Sequence, residues 1–159
     1  VSEHVNFVDR FNAANEAIAE GVREGLKAYA FAIQEEAIEK ITDENLVDTG
    51  ALRRSVFVQA HGLDTRAEAL AAAMALASGL GAKSKRPHGP FQAAAPGKPI
   101  EADYQAKVGV CVNYGIYLEM GTVHMAARPF LKPAANTVQA KAKDLIGKYV
   151  SEKLRKAGP

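Results

Sequence analysis

One long apolar stripe constrains this chain more than any other feature in it. Between about Asn12 and Ile41, the residues Ile18, Val22, Leu26, Tyr29, Ile33, Ala37 and Ile41 recur at steps of three and four. That is the period of a helix with one apolar face. Glu16, Glu20, Arg23, Glu24, Lys27, Glu35, Glu36 and Glu39 fill the other faces, and no proline interrupts the run. The spacing predicts a helix of roughly 30 residues, or ~45 Å at 1.5 Å per residue, where a small domain is only about 30 Å across. Such a helix either projects beyond its domain or lines a contact with a neighbour. Gly21 and Gly25 lie inside it, and each is expected to cost about 1 kcal/mol relative to Ala. The first eleven residues, with Phe7 and Phe11, either extend the helix or form a separate arm.

The remainder reads as shorter elements. The chain has 159 residues, 48% of them apolar and 24% charged, which suits one globular domain with its own core. In Val47–Ser55, VDTGALRRS, Asp48 and Thr49 are suited to capping backbone donors and Gly50 to a positive φ. Val56–Ala60 is β-branched and aromatic, a short strand. Thr65-Arg66-Ala67-Glu68 has the spacing of a capping box and opens an Ala-rich helix from Ala67 to Ser78, which Gly79 and Gly81 end. Residues 82–100 read as loop throughout, a length that is usually functional or disordered. Gln105–Asn113 alternates Ala106, Val108, Val110 and Val112 with Gln105, Lys107, Gly109 and Cys111, the pattern of a half-buried strand. The two strands suggest an antiparallel pair, and a pair alone is marginal. A further strand is expected from residues 96–104 or 121–129. Tyr114–Met120 suggests one helical turn closed by Gly121-Thr122. A last helix is expected from near Pro133, a first-turn proline, to about Lys156.

No constellation of residues points to catalysis. His4, His61, His88 and His124 are too scattered for a metal-ligand pattern, although His61 and His88 flank the Ala-rich helix and its loop. Cys111, the single cysteine, cannot form an internal disulfide and reads as a small half-buried strand residue. Gly79-Leu80-Gly81 ends a helix where a phosphate loop must open one. Asp43, Glu44 and Asp48 cluster at a helix end as solvated capping acids. No cofactor and no metal are expected. No apolar run is long enough to span a membrane, and the first residues lack the charged-then-apolar pattern of a secretory signal.

The charge is unevenly placed. Residues 1–49 hold eleven acids and four bases, and residues 50–159 hold seven acids and sixteen bases. These halves either neutralise each other within one copy or meet between neighbouring copies. Four of the bases, Lys83, Lys85, Arg86 and Lys98, lie in the long loop with no acid among them. They read as solvated loop cations or as contacts to nucleic-acid phosphates, which need flexible cations and carry no base information.

Three segments, taken in order, carry a resemblance. VDTGALRRS at Val47–Ser55, NYGIYLEMGT at Asn113–Thr122 and ARPFLKPA at Ala127–Ala134 resemble the neck, or tail-completion, proteins of long-tailed bacteriophages. The likeness covers about Asn12 to Val150 except residues 61–104, an insertion longer than the usual link. It implies a single α+β domain over residues 1–159, with long N-terminal and C-terminal helices packed on a small antiparallel sheet. It also implies a structural, non-enzymatic virion protein, assembled in the host cytoplasm, that forms a hexameric or dodecameric ring at the head–tail interface. Its partners are then further copies of itself, the head connector or stopper, the tail tube or terminator, and double-stranded DNA passing without sequence specificity. Asp48, Thr49, Gly50 and Leu52 match the first motif. Tyr114, Tyr117, Glu119, Gly121 and Thr122 match the second, and Arg128, Pro129 and Phe130 the third. Fold-making roles are expected of them: Gly50 and Gly121 in turns, Leu52, Tyr117 and Phe130 in the core. Contact between subunits is the alternative.

In a ring, one face meets a different face of the next copy. Glu35, Glu36 and Glu39 are therefore candidate inter-subunit residues, and Lys83, Lys85, Arg86 and Lys98 candidates for the DNA channel or an adjacent ring. A tail-terminator ring that caps the tail tube, or a free basic DNA-binding protein, is the alternative function.

Overall fold

The structure, a computed structural model, describes residues 2–43, 46, 50–80, 92–95, 100 and 102–158. The fold is α+β, and among the described residues it has six helices and a three-stranded antiparallel sheet. Helix α1 runs from Ser2 to Asp43, so the first residues extend the helix and form no separate arm. At 42 residues it is about 63 Å long. Its C-terminal half belongs to the core, where Ala37 and Ile41 are fully buried. Its other half departs from the predicted stripe. Ile18 is exposed, and the buried line is Ala17, Gly21 and Gly25, one residue away.

The cause is helix α6, Ala142–Ala157, which lies antiparallel along α1. A Cβ on Gly21 would sit 2.6 Å from the Val150 Cα, and one on Gly25 2.7 Å from the Ile146 Cα. The two backbones meet where only hydrogen atoms fit. The glycines thus exchange helix propensity for close packing. Glu20 of α1 also pairs with Lys153 of α6. Part of the charge asymmetry is therefore cancelled within one copy.

Ala51–Arg54 forms α2, entered through Gly50 at φ 76°, the left-handed conformation that glycine adopts without strain. Strand β1, Val56–Ala60, is buried along its whole length. It is central: β2, Leu63–Asp64, pairs on one side and β3, Ala106–Val110, on the other. Among the described residues the third strand therefore comes from the turn directly after β1; residues 96–99 and 101 of the first expected segment lie outside the described residues. Gly62 at φ 67° makes that two-residue turn. Register places Val56, Val58 and Ala60 beside Val110, Val108 and Ala106 on the α1 face. Phe57 faces the other way, toward Ala69 and Cys111. Gly109, opposite Phe57, leaves room for the ring: a Cβ there would lie 2.9 Å from Phe57 Cζ.

Helix α3, Arg66–Leu80, covers that second face. Its capping differs from the predicted box. The Thr65 hydroxyl is taken by β1, accepting from Val58 N–H at 2.9 Å. The cap is Asp64, whose Oδ1 accepts from Arg66 N–H at 2.9 Å while Oδ2 accepts from Gln59 Nε2. A donor inside the sheet outcompetes a helix end that a neighbouring carboxylate can serve. Cys111 is fully buried, where half burial was expected. Burial pushes its thiol pKa up, which removes it from thiolate chemistry.

The expected single C-terminal helix is two. Helix α5 spans Leu131–Gln139 and packs Ala134 and Val138 inward. At Lys141 the N–H turns back to Val138 O, a tighter i→i−3 bond that lets α6 change direction and follow α1. Both helices pack on α1, α5 at its C-terminal half in the core and α6 along Gly21 and Gly25, and following α1 in two places overrides one continuous apolar period. We expect Gly25→Ala to destabilise the fold by about 1–3 kcal/mol through overpacking. Gly147→Ala, where nothing lies within 4 Å of the added Cβ, is expected to stabilise it by about 0.5–1 kcal/mol. Urea titration of both variants checks the contrast.

Candidate interaction surface

The three motifs converge on one core. Leu52, Phe130 and Ala134 are buried together with Ala37, Ile41 and Val112. Gly115, which opens helix α4 (Gly115–Met120), sits against this core. A Cβ there would meet Val110 Cγ2 at 2.5 Å and Leu52 Cδ1 at 3.6 Å. The first motif thus touches the second through Leu52 and Gly115. Asp48 and Thr49 lie outside the described residues.

Glu119 joins the second motif to the third. Its carboxylate accepts from the backbone N–H groups of Phe130, Leu131 and Lys132 at 2.8–2.9 Å. Those are the donors that the start of α5 cannot satisfy within the helix. Pro133 comes next and has no N–H, and Ala134 N–H closes the first turn on Phe130 O. The negative charge also complements the positive helix end. This explains why α5 starts at Leu131, before the expected Pro133. Between the two helices the chain makes a tight turn. Thr122 and Met125 exchange backbone hydrogen bonds of 2.8 and 3.2 Å, and Arg128 N–H donates to Leu118 O. The Thr122 hydroxyl accepts from His124 N–H. Gly121 must be glycine twice over: φ is 74°, and a Cβ would fall 2.7 Å from Ala127 N.

The outer side of this knuckle is apolar and uncovered. Met120 is 74% exposed and Val123 94%, with Ile116, Tyr117 and Met125 also exposed. Tyr117 was expected in the core. It is 52% exposed, because α4 is too short to bury more than one side and that side is taken by Gly115 and Leu118. Tyr114 faces outward too. A contiguous apolar patch on a rigid frame marks a contact site. The residues Ile116, Met120, Val123 and Met125 were not anticipated, although four large apolar residues around a Gly-Thr turn are a visible signal.

Beside the knuckle lies an open apolar groove of about 370 Å³. Tyr29, Ala30 and Ile33 of α1, Ala106 and Val108 of β3, and Leu131 and Ala135 of α5 line it, with Glu119 and Lys132 at the α5 start. The other expected residues are dispersed. Glu35 and Glu39 are exposed on α1, while Glu36 is half-buried and pairs with Lys40 at 3.3 Å. Lys83, Lys85, Arg86 and Lys98 lie outside the described residues, as does His88. Among the described residues, no group of three or more His, Cys, Asp or Glu could hold a metal ion, and no helix is long and apolar enough to cross a membrane.

A polar cluster fastens the approach to β3. Asp103 accepts from Arg23 at 2.7 Å, and its other oxygen lies 2.9 Å from His61 Nδ1. The Arg23 hydrogen bond holds the Asp103 carboxyl below its ordinary pKa, and the Lys153 hydrogen bond does the same for Glu20. A carboxylate depressed in the folded state stabilises it above the unfolded pKa, and that contribution vanishes as pH falls through the folded value. Melting temperature should therefore fall below the ordinary carboxylate range, and Asp103→Asn should flatten that fall. Glu119→Ala is expected to cost about 2 kcal/mol and Glu119→Gln less, since charge-assisted hydrogen bonds contribute roughly 1.5–3 kcal/mol. Chemical denaturation measures both.

No protein-family model, no curated protein and no solved structure matches this chain, so what it does is read from its own residues and where they lie.

Proposed function

We propose that this chain is a structural subunit of a ring at the head–tail interface of a long-tailed bacteriophage. There it joins the head connector to the tail around the DNA channel, with no chemical step of its own. The observation that carries this reading is the apolar knuckle at Ile116–Met125: other large apolar residues are exposed too, Phe11 and Phe31 of α1 among them, but Ile116, Tyr117, Met120, Val123 and Met125 are gathered around one braced turn. The second and third motifs, through Glu119, Gly121, Thr122 and Phe130, brace this knuckle, and Leu52 of the first packs beneath it against Gly115.

Charge supports the same reading. Glu16, Glu35 and Glu39 are exposed on α1, and Lys143, Lys148, Arg155 and Lys156 are exposed on α6. Acidic and basic surfaces on different helices suit head-to-tail contact between identical copies, giving orientation and register more than affinity. A ring around DNA must also let the duplex slide, and each phosphate neutralised adds salt-sensitive affinity. Keeping cations for subunit contacts serves that need.

The double variant Glu35→Lys/Glu39→Lys tests the reading. Both side chains are exposed, so the fold should persist by circular dichroism. Ring yield, counted in negatively stained micrographs, is expected to fall about tenfold at low salt, within a Debye length of ~10 Å at 0.1 M. Unchanged yield at both low and high salt would contradict the role given to charge. Salt-sensitive DNA retention by the isolated monomer in a gel-shift titration would favour a free DNA-binding protein instead.

A further inference from the structure

We infer that the Met120–Val123 knuckle of one copy docks into the groove between α1, β3 and α5 of the next copy, an inference that rests on the ring reading above. The groove is a built depression. Its walls come from three elements, and its volume of about 370 Å³ is room for several side chains, where one water occupies about 30 Å³. It is lined almost wholly by apolar side chains. Glu119 carries the nearest acid, and its carboxylate is committed to the three N–H groups that open α5. Lys132, at the α5 start, is exposed and carries the other charge of the lining, so the rest of the groove offers an apolar occupant a site with little charge to desolvate.

One face of β3 adds to this. β3 is an edge strand of the sheet. Cys111 N–H pairs with Ser55 O, so in the antiparallel alternation the N–H and C=O groups of Ala106, Val108 and Val110 point away from β1. The segment Gln92–Ala94 covers the end of that edge, bonding Cys111 O and Asn113 N–H. Among the described residues no strand pairs with the rest of it, and Ala106 and Val108 of β3 line the groove.

The occupant that fits is a second copy. Between Ile116 and Met125 the ionisable side chains are Glu119, already committed to the start of α5, Tyr117 and His124. Val123 stands at the tip, 94% exposed, with Met120 behind it. The protrusion and the depression share a border, since Glu119 lines the groove and Met120 beside it belongs to the knuckle. One copy cannot fill its own groove with its outward-facing knuckle, but a neighbour presents the complement of both. A stable interface needs about 800 Å² per partner, and the exposed acids of α1 and bases of α6 are at hand to extend the contact beyond the knuckle by charge complementarity.

Two single variants of the full chain test this. Val123→Glu charges the tip and leaves the fold alone, because Val123 touches little of its own copy. Ala135→Glu charges the groove, with Ala106→Glu as a second groove variant should the first melt early. Assembly is followed by native mass spectrometry and sedimentation velocity. Either variant alone is expected to weaken self-association at least tenfold. An equimolar mixture should recover one-to-one pairs and stop there, since such a pair retains one intact knuckle and one intact groove. Wild-type assembly that survives both variants would overturn the docking and leave the ring reading standing. A wild type that stops at two copies, broken by either variant, would keep the docking and remove the ring. A wild type that stays monomeric at every concentration would overturn both.

Discussion

Three backbone donors at the start of α5 meet one carboxylate, Glu119, and most of the outward-facing structure follows from that contact. It fixes the end of α4 against the beginning of α5. The chain between them then has too little slack for anything but a tight turn, and Gly121 and the Thr122–Met125 bonds make it. The same contact places Phe130 in the core beside Leu52. Apolar residues on the far side of the turn are held out in solvent with no freedom to fold back. An exposed Val or Met on a floppy loop would mean little; on this frame it is a surface of fixed shape.

A second constraint gives the molecule its reach. α1 is about twice the length a small domain can enclose, and α6 supports part of the excess through the close approach at Gly21 and Gly25. Small residues make this work because two helix backbones in near contact gain dispersion along their whole length. The resulting pair carries acidic residues on one helix and basic residues on the other. Some of that charge is spent internally, in Glu20–Lys153. Glu35 and Glu39 remain exposed, as does the outer side of α6. Apolar shape and unlike charge are then available at different places on one copy, which is the condition for identical subunits to close around an axis.

Much of the fold was legible in the residues. The period of α1, the alternation of β3 and the β-branched run of β1 each announce their element. What was missed has a physical pattern. The apolar stripe pointed to Ile18 and Val22, while packing chose Ala17, Gly21 and Gly25, because a close helix pair selects for small size rather than hydrophobicity. Thr65 has a capping sequence, yet Val58 N–H in the sheet claimed its hydroxyl. The C-terminal helix has one period but follows α1 in two separate places, so it bends at Lys141. Tyr117 reads as core by type and motif, but a six-residue helix buries one side only. In the helix pair and at the bend a distant neighbour decided between locally equal choices; at Thr65 it was the adjoining strand, and at Tyr117 the length of its own helix. Of the candidate surface, the glycines and Glu119 were visible as motif residues. The exposure of Met120 and Val123 was not, since burial depends on what the rest of the chain fails to cover.

The most direct measurement is an averaged electron-microscopy reconstruction of this chain in the particle it belongs to. A closed ring of identical copies is expected, coaxial with a channel that passes duplex DNA, with each knuckle seated on the copy beside it. A single copy standing apart from its like, or a chain acting on a bound substrate, would contradict it.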